Sequence, residues 1–137
     1  MAVGQKKTAV NDKYLVRAMT SVGGGVAASG GMCGAFVGGV AFLGSVLGRD
    51  EPEKKDDPVL WKACHMFYGK LEQETIAENP GINCRDISGV NDWRDRDQKR
   101  EFYKGEGIVR CKKNVGKAAR ILCEVIEKYI AAEDTRS

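Results

Sequence analysis

Residues 18–48 limit the fold more than any other stretch: they carry no charge, and ten of the chain's 17 glycines fall among them. Such a segment either crosses a membrane or is buried inside a protein. Its continuously helical-looking part, Met32 to Leu47, has 16 residues, short of the roughly 20 that span a hydrocarbon core of about 30 Å. Extending it back to Val26 puts Ser29-Gly30-Gly31 into the helix interior, where glycine is a poor helix former. The better reading is a glycine-rich turn leading into a buried helix, with no membrane span. Gly34, Gly38 and Ala41 place small residues along that helix, which suits close packing against neighbours.

The rest of the chain reads as helices joined by punctuated loops. Asn11 is placed to cap a first amphipathic helix whose apolar side is Tyr14, Leu15 and Ala18. Residues 49–57 are charged at eight of nine positions, broken only by Pro52, and form a solvated connector. The connector ends in Asp57-Pro58, an N-cap followed by proline at the first helical position. From there Leu60, Cys64, Phe67 and Leu71 recur at spacings of four, three and four, one stripe facing a core.

Asn79-Pro80-Gly81 signals a turn. One or two helical turns are expected between Cys84 and Val90, and an exposed helix or loop of alternating charge at 92–101. A last helix begins near Cys111, with Cys111, Val115, Ala118, Leu122, Val125 and Tyr129 down one face. No strong two-residue alternation marks a strand. The prediction is a single all-α domain over 1–137, a bundle of four or five helices with a buried Gly/Ala-rich helix. Its termini, 1–10 and 131–137, are expected to be loose. A chain of 137 residues is long enough for one hydrophobic core.

A net charge of +3 argues against nucleic-acid binding by the whole chain. Residues 94–120 do concentrate ten Lys or Arg against four Asp or Glu, with Trp93, Phe102 and Tyr103 in or beside them. Charge mixed with stacking groups is what a nucleic-acid surface needs, but solvation of a helix exterior accounts for it more simply. An acidic protein partner would use the same patch, so a non-catalytic helical docking module is the alternative to chemistry. For hydrolysis there is no supporting constellation, and the glycines precede Cys33 rather than the GK[ST] of a phosphate loop.

Five cysteines and a single histidine leave the thiols to carry any chemistry. Cys33, Cys64, Cys84, Cys111 and Cys123 are separated by 31, 20, 27 and 12 residues. No CxxC pair exists, which excludes a thioredoxin-type motif and a paired zinc knuckle. An odd count cannot close into a set of internal disulfides, and the polar N-terminus has no signal-peptide pattern, so a reducing cytoplasm is expected. Trp61-Lys62-Ala63-Cys64-His65 holds the tail of a haem-attachment motif, but Trp61 stands where its first cysteine belongs. Covalent haem is not expected.

Cys64 and Cys123 lie mid-helix among apolar residues and read as inert core filler. Cys33, Cys84 and Cys111 each follow a loop or turn and open an expected helix. Unpaired amides and the positive helix end favour thiolate there. Gly34 beside Cys33 lets a cofactor or a second sulfur approach the backbone, and Arg85, Arg110, Lys112 and Lys113 add positive charge.

Cys33-Gly34-Ala35-Phe36-Val37-Gly38 resembles the CGAxxG motif of the redox-active family named for its C, GCAxxG, C, C cysteine pattern. The flanks are similar too: Gly23-Gly24-Gly25 before the motif, then Gly39, Leu43-Gly44 and Leu47-Gly48-Arg49. Ile82-Asn83-Cys84-Arg85-Asp86 resembles the family's single internal cysteine, and Cys111 its last one. The likeness runs from about Gly23 to Ile130. It implies a small helical protein with redox thiols Cys33, Cys84 and Cys111, acting in electron transfer or thiol chemistry with a redox partner protein.

A similar module in split-Soret cytochromes holds an iron–sulfur centre, so the resemblance also implies a cluster or other metal on those three thiols. Gly34, Gly38 and Arg85 would then adjoin the cofactor. The family's first cysteine lies upstream of the motif, and residues 1–32 contain none. Cys64, His65 or a second subunit would have to supply the fourth ligand, or the site would work with three ligands and an open position. Glycine enrichment also fits a homodimer formed through the buried helix.

Overall fold

Three helices meet in one core because each presents an apolar stripe at helical spacing. The structure, a computed structural model, describes residues 1–131; apart from Ala131, the expected loose tail lies outside the described residues. Among them are α1 (Ala2–Thr8), α2 (Lys13–Met19), α3 (Gly34–Leu47), α4 (Pro58–Ile76), α5 (Cys84–Ser88), α6 (Arg96–Lys104) and α7 (Glu106–Tyr129). The described residues contain no strand, only an isolated antiparallel bridge between Met32 and Asn83. The protein is all-α and a single domain. It has more helices than the four or five expected: α1, too short to show a period, forms in a stretch read as a loose terminus.

Phe36, Phe42 and Leu43 of α3 pack with Phe67 and Leu71 of α4 and Ile121, Leu122 and Val125 of α7. The uncharged stretch is thus spent on a core helix. No helix of the described residues is long and apolar enough to cross a membrane. Glycine sets how closely α3 and α4 approach. Gly39 lies so near the Phe67 ring that a methyl group there would overlap it.

α4 starts as its sequence dictates: the Asp57 carboxylate accepts from the Val59 amide at 2.8 Å, and Pro58 takes the first helical position. Residues 49–57 are exposed throughout.

Elsewhere the structure corrects the sequence reading. Within residues 1–10, expected to be loose, Ala2–Thr8 form α1, which docks Gly4 on the Phe42 ring and pairs Lys7 with Glu127 of α7 at 2.8 Å. α2 is capped by Asp12, not Asn11, with Asp12 Oδ1 accepting from the amides of Tyr14 and Leu15. Tyr14 is 67% exposed and Ala18 is also exposed, while Leu15 and Met19 are half-buried. α7 starts at Glu106, five residues before Cys111. Its buried face runs through Asn114, Ala118, Ile121, Leu122 and Val125, whereas Val115 is 56% exposed. Cys123 is half-buried, not core; Cys64 is buried as expected.

The glycine-rich lead-in adopts an unusual turn. After a 3-10 turn at Thr20–Val22, five consecutive residues from Gly24 to Ala28 have positive φ: 66°, 80°, 64°, 53° and 57°. Backbone bonds such as Val26 N to Val22 O at 2.9 Å and Ala28 N to Gly23 O at 2.9 Å close it as a left-handed coil. Each non-glycine residue there costs roughly 1–2 kcal/mol, and a β-branched one is a marked outlier. Val26 is 45% exposed, so its side chain packs little in return. Val26→Gly is expected to stabilise the protein by about 0.5–1 kcal/mol after glycine's own entropy cost. The urea midpoint should rise with its slope unchanged; a lower midpoint contradicts this account of the coil.

Candidate functional site

The Met32–Asn83 bridge brings two of the cysteines together, since Cys33 follows one partner and Cys84 the other. The Cys33 amide donates to Ile82 O at 3.1 Å and the Cys84 amide to Gly31 O at 2.5 Å. Residues so placed are diagonal neighbours on one side of the pair, with Cβ atoms about 7 Å apart. The left-handed coil covers Cys84. Gly25, at φ 80°, lies against Cys84 Cβ, where an added side chain would overlap it. Arg85 holds the coil in place, donating from Nε to Gly30 O at 3.0 Å and from Nη2 to Ser29 O at 3.3 Å. The guanidinium expected to face a cofactor is therefore engaged by backbone carbonyls.

Cys33 is the N-cap of α3 and is half-buried. From α7, Asn114 points its Nδ2 at Cys33 Sγ, 3.8 Å away. Cys111 lies one turn earlier on that helix and is also half-buried. Cys84 is buried, its thiol donating to Ser88 Oγ at 3.8 Å. The structure thus gathers all three sequence-predicted thiols, although Cys111 sits in the second turn of α7 rather than at its start.

The electrostatics of the three thiols are coupled. Burial pushes the Cys33 thiol up, and the charge of Cys84 adds to this. The amides of Ala35 and Phe36 and the side chain of Asn114 act the other way and favour the anion, but burial wins. The two amides face the sulfur without forming a capping bond to the thiol as it stands. Cys111 is pushed from 9.0 up to about 11, first by burial, then by the charges of Cys84 and Cys33, against a small opposing pull from Arg110. Helix ends and basic neighbours were expected to lower these values. Desolvation outweighs them, and Arg110 is occupied, donating from Nε to Ile87 O at 2.8 Å.

A pH dependence follows. Thiols with raised folded-state values stay protonated in the native protein while the unfolded chain ionises. Their stabilising effect is complete below about 9 and is lost as pH climbs toward 11. Unfolding free energy should fall across that window, and less so in Cys111→Ala. A flat alkaline profile contradicts the burial of neutral thiols.

The other predicted ligands lie elsewhere. Cys64 packs in the core, and His65 is exposed on the same helix. Thr75, the α4 residue bonded to Asn114, is 11 positions along from Cys64, or about 16 Å at helical rise. Gly34 and Gly38 line a separate apolar cavity of about 190 Å³ with Met1, Ala118 and Leu122, and no cysteine lines it. The site therefore offers three sulfurs, one short of the four thiolates of common iron–sulfur clusters. Among the described residues, no three Cys, His, Asp or Glu side chains converge closely enough to hold a metal ion. The donor set of the chain by itself does not fit a cluster.

Half of the ten basic residues at 94–120 are in ion pairs. Lys113 and Lys117 meet Glu78 at 3.0 and 2.7 Å, and Arg120 meets Glu124 at 3.1 Å and also Glu74. Arg94 pairs with Asp92 at 3.0 Å. Of these contacts only Arg120–Glu74 ties α7 to α4, while Glu78 lies just beyond the end of α4.

Sequence reasoning missed Asn114 and Thr75. Asn114 is 1% exposed and Thr75 fully buried, with Thr75 Oγ1 donating to Asn114 Oδ1 at 2.8 Å. Spacing could have found Asn114: Cys111, Asn114, Ala118, Ile121 and Val125 repeat at three and four. Choosing apolar Val115 instead of the in-register polar residue hid it.

No curated protein and no solved structure matches the chain. One family model, described as "Putative redox-active protein (C_GCAxxG_C_C)", matches residues 1–125. That span covers the Cys33–Gly38 motif and the later Cys84 and Cys111, the three thiols the fold gathers. The chain belongs to the C_GCAxxG_C_C family of putative redox-active proteins.

Proposed function

We propose that this protein performs thiol–disulfide redox chemistry, with Cys33 attacking and Cys84 or Cys111 resolving. One observation carries the reading: the Met32–Asn83 bridge sets Cys33 beside Cys84, and Asn114, one turn along α7 from Cys111, reaches Cys33 Sγ at 3.8 Å. Two thiolates in such a site repel, and a disulfide removes both charges at once. Cys33 is the attacking sulfur because amides of α3 face it and it is half-exposed. Cys84 is buried beneath the coil, and burial holds the Cys111 thiol toward its neutral form.

The oxidant is a disulfide, either of a small molecule or of a partner protein. The Cys33 thiolate attacks one of its sulfurs, the old S–S bond breaks, and the leaving thiolate takes up a proton. The resolving cysteine then attacks Cys33 Sγ, releasing the second half as a thiol. Two thiols of this protein become one disulfide, and one disulfide becomes two thiols. A Cys33–Cys84 link needs Cβ atoms at about 3.5–4.5 Å, so the coil over Cys84 must shift by a few ångströms. A reducing cytoplasm is the compartment that would return the site to its thiol form.

Counting free thiols tests this. The reduced, folded protein has five, and a disulfide oxidant should bring the count to three. A count that stays at five sinks the reading.

A further inference from the structure

We infer that Asn114 is a positioning residue for Cys33, a fixed hydrogen-bond donor that selects this sulfur as the attacking one. The inference rests on the thiol–disulfide reading above. A buried amide is costly unless its polar atoms are partnered, and Asn114 sits in the hydrophobic interior of α7 at 1% exposure. Its two ends have separate partners: Oδ1 accepts from Thr75 Oγ1 at 2.8 Å, and Nδ2 faces Cys33 Sγ at 3.8 Å. Thr75 is itself fully buried on α4, and the Asn79 side chain donates to its carbonyl at 3.0 Å. With the hydroxyl donating to Oδ1, the amide presents its N–H to the sulfur.

A donor in this place favours the anion of Cys33 over its thiol. Neither of the other two cysteines has an equivalent. The Cys84 thiol donates to a serine hydroxyl, and Cys111 has only the charge of Arg110 in its favour. The titratable groups sharing the field around Cys33 are Cys84 and Cys111. A long N–H···S contact at 3.8 Å is also one that shortens as the sulfur gains charge, so its effect is larger on the attacking state than on the resting thiol.

The test is the pH profile of Cys33 alkylation by iodoacetamide, resolved by peptide mass spectrometry on full-length folded protein. Asn114→Leu should move the Cys33 profile up by about one pH unit and slow labelling near neutrality by about tenfold. Asn114→Asp, which sets a carboxylate beside the sulfur, should move it further in the same direction. The Cys111 profile should move less in both. If Asn114→Leu fails to fold, the near-isosteric Thr75→Val decides: freeing the amide should also slow Cys33.

An unchanged or faster Cys33 in a folded variant overturns the role of Asn114, the faster result showing that the amide oxygen, not its N–H, faces the thiol. Free-thiol counting on the wild type separates this from the reading beneath it. An unshifted profile alongside normal disulfide formation refutes the positioning role alone. A shifted profile in a protein that forms no internal disulfide leaves the donor in place and refutes the redox reading.

Discussion

Cys33→Ser should abolish internal disulfide formation. Under the challenge that takes the wild type from five free thiols to three, the variant should keep all four of its remaining thiols. Serine is close in size to cysteine, and the position is half-buried, so the fold should survive with little change in stability. What disappears is the sulfur that the α3 amides and Asn114 face. Cys84→Ser and Cys111→Ser should behave differently, because each leaves Cys33 with one possible resolving partner and some disulfide should still form. If Cys33→Ser oxidises like the wild type, a Cys84–Cys111 pair is the working couple and the assignment of roles is wrong.

The second large effect concerns the contact that holds α3 against α4. Gly39→Ala should destabilise the protein by about 2–3 kcal/mol, since the new methyl enters space the buried Phe67 ring occupies and overpacking costs of this order are usual. Phe67→Ala should cost about 3–5 kcal/mol through lost burial and the cavity left behind. The double variant should be more stable than the sum predicts, by at least about 1 kcal/mol, because the added methyl then sits where the ring was. Urea unfolding of the four proteins measures this coupling. Simple additivity would mean that Gly39 and Phe67 do not share that space.

The parts of this fold that were legible in the sequence are those written as periodicity and capping. Cys64, Phe67 and Leu71 repeat at helical spacing and are buried on α4; Asp57-Pro58 starts that helix where it should. α1 was not legible, because it docks through the missing side chain of Gly4 rather than through an apolar stripe. Nor was the exposure of Tyr14 and Ala18, since α2 is capped like a core helix yet buries none of its residues.

At the site, the three thiols could be named from their setting and from the family likeness, but their ionisation could not. The sequence shows basic neighbours and helix starts; it does not show that Cys111 is a full turn inside α7, or that burial would dominate. Asn114 was hidden for a related reason. A polar residue on an apolar stripe looks like an exception until the hydroxyl and the sulfur that pair with it are seen. Cys64 packs in the core and His65 is exposed on the same helix, about 16 Å of helix from the Thr75 that bonds Asn114.

The most direct test of the central claim is a non-reducing peptide map of protein purified without oxygen and then exposed to a disulfide oxidant, with iron and acid-labile sulfide assayed on the same sample. The account predicts one new cross-linked species joining the Cys33 peptide to that of Cys84 or Cys111, with Cys64 and Cys123 still free. Five unlinked cysteines, or stoichiometric iron and sulfide on the purified protein, would contradict it.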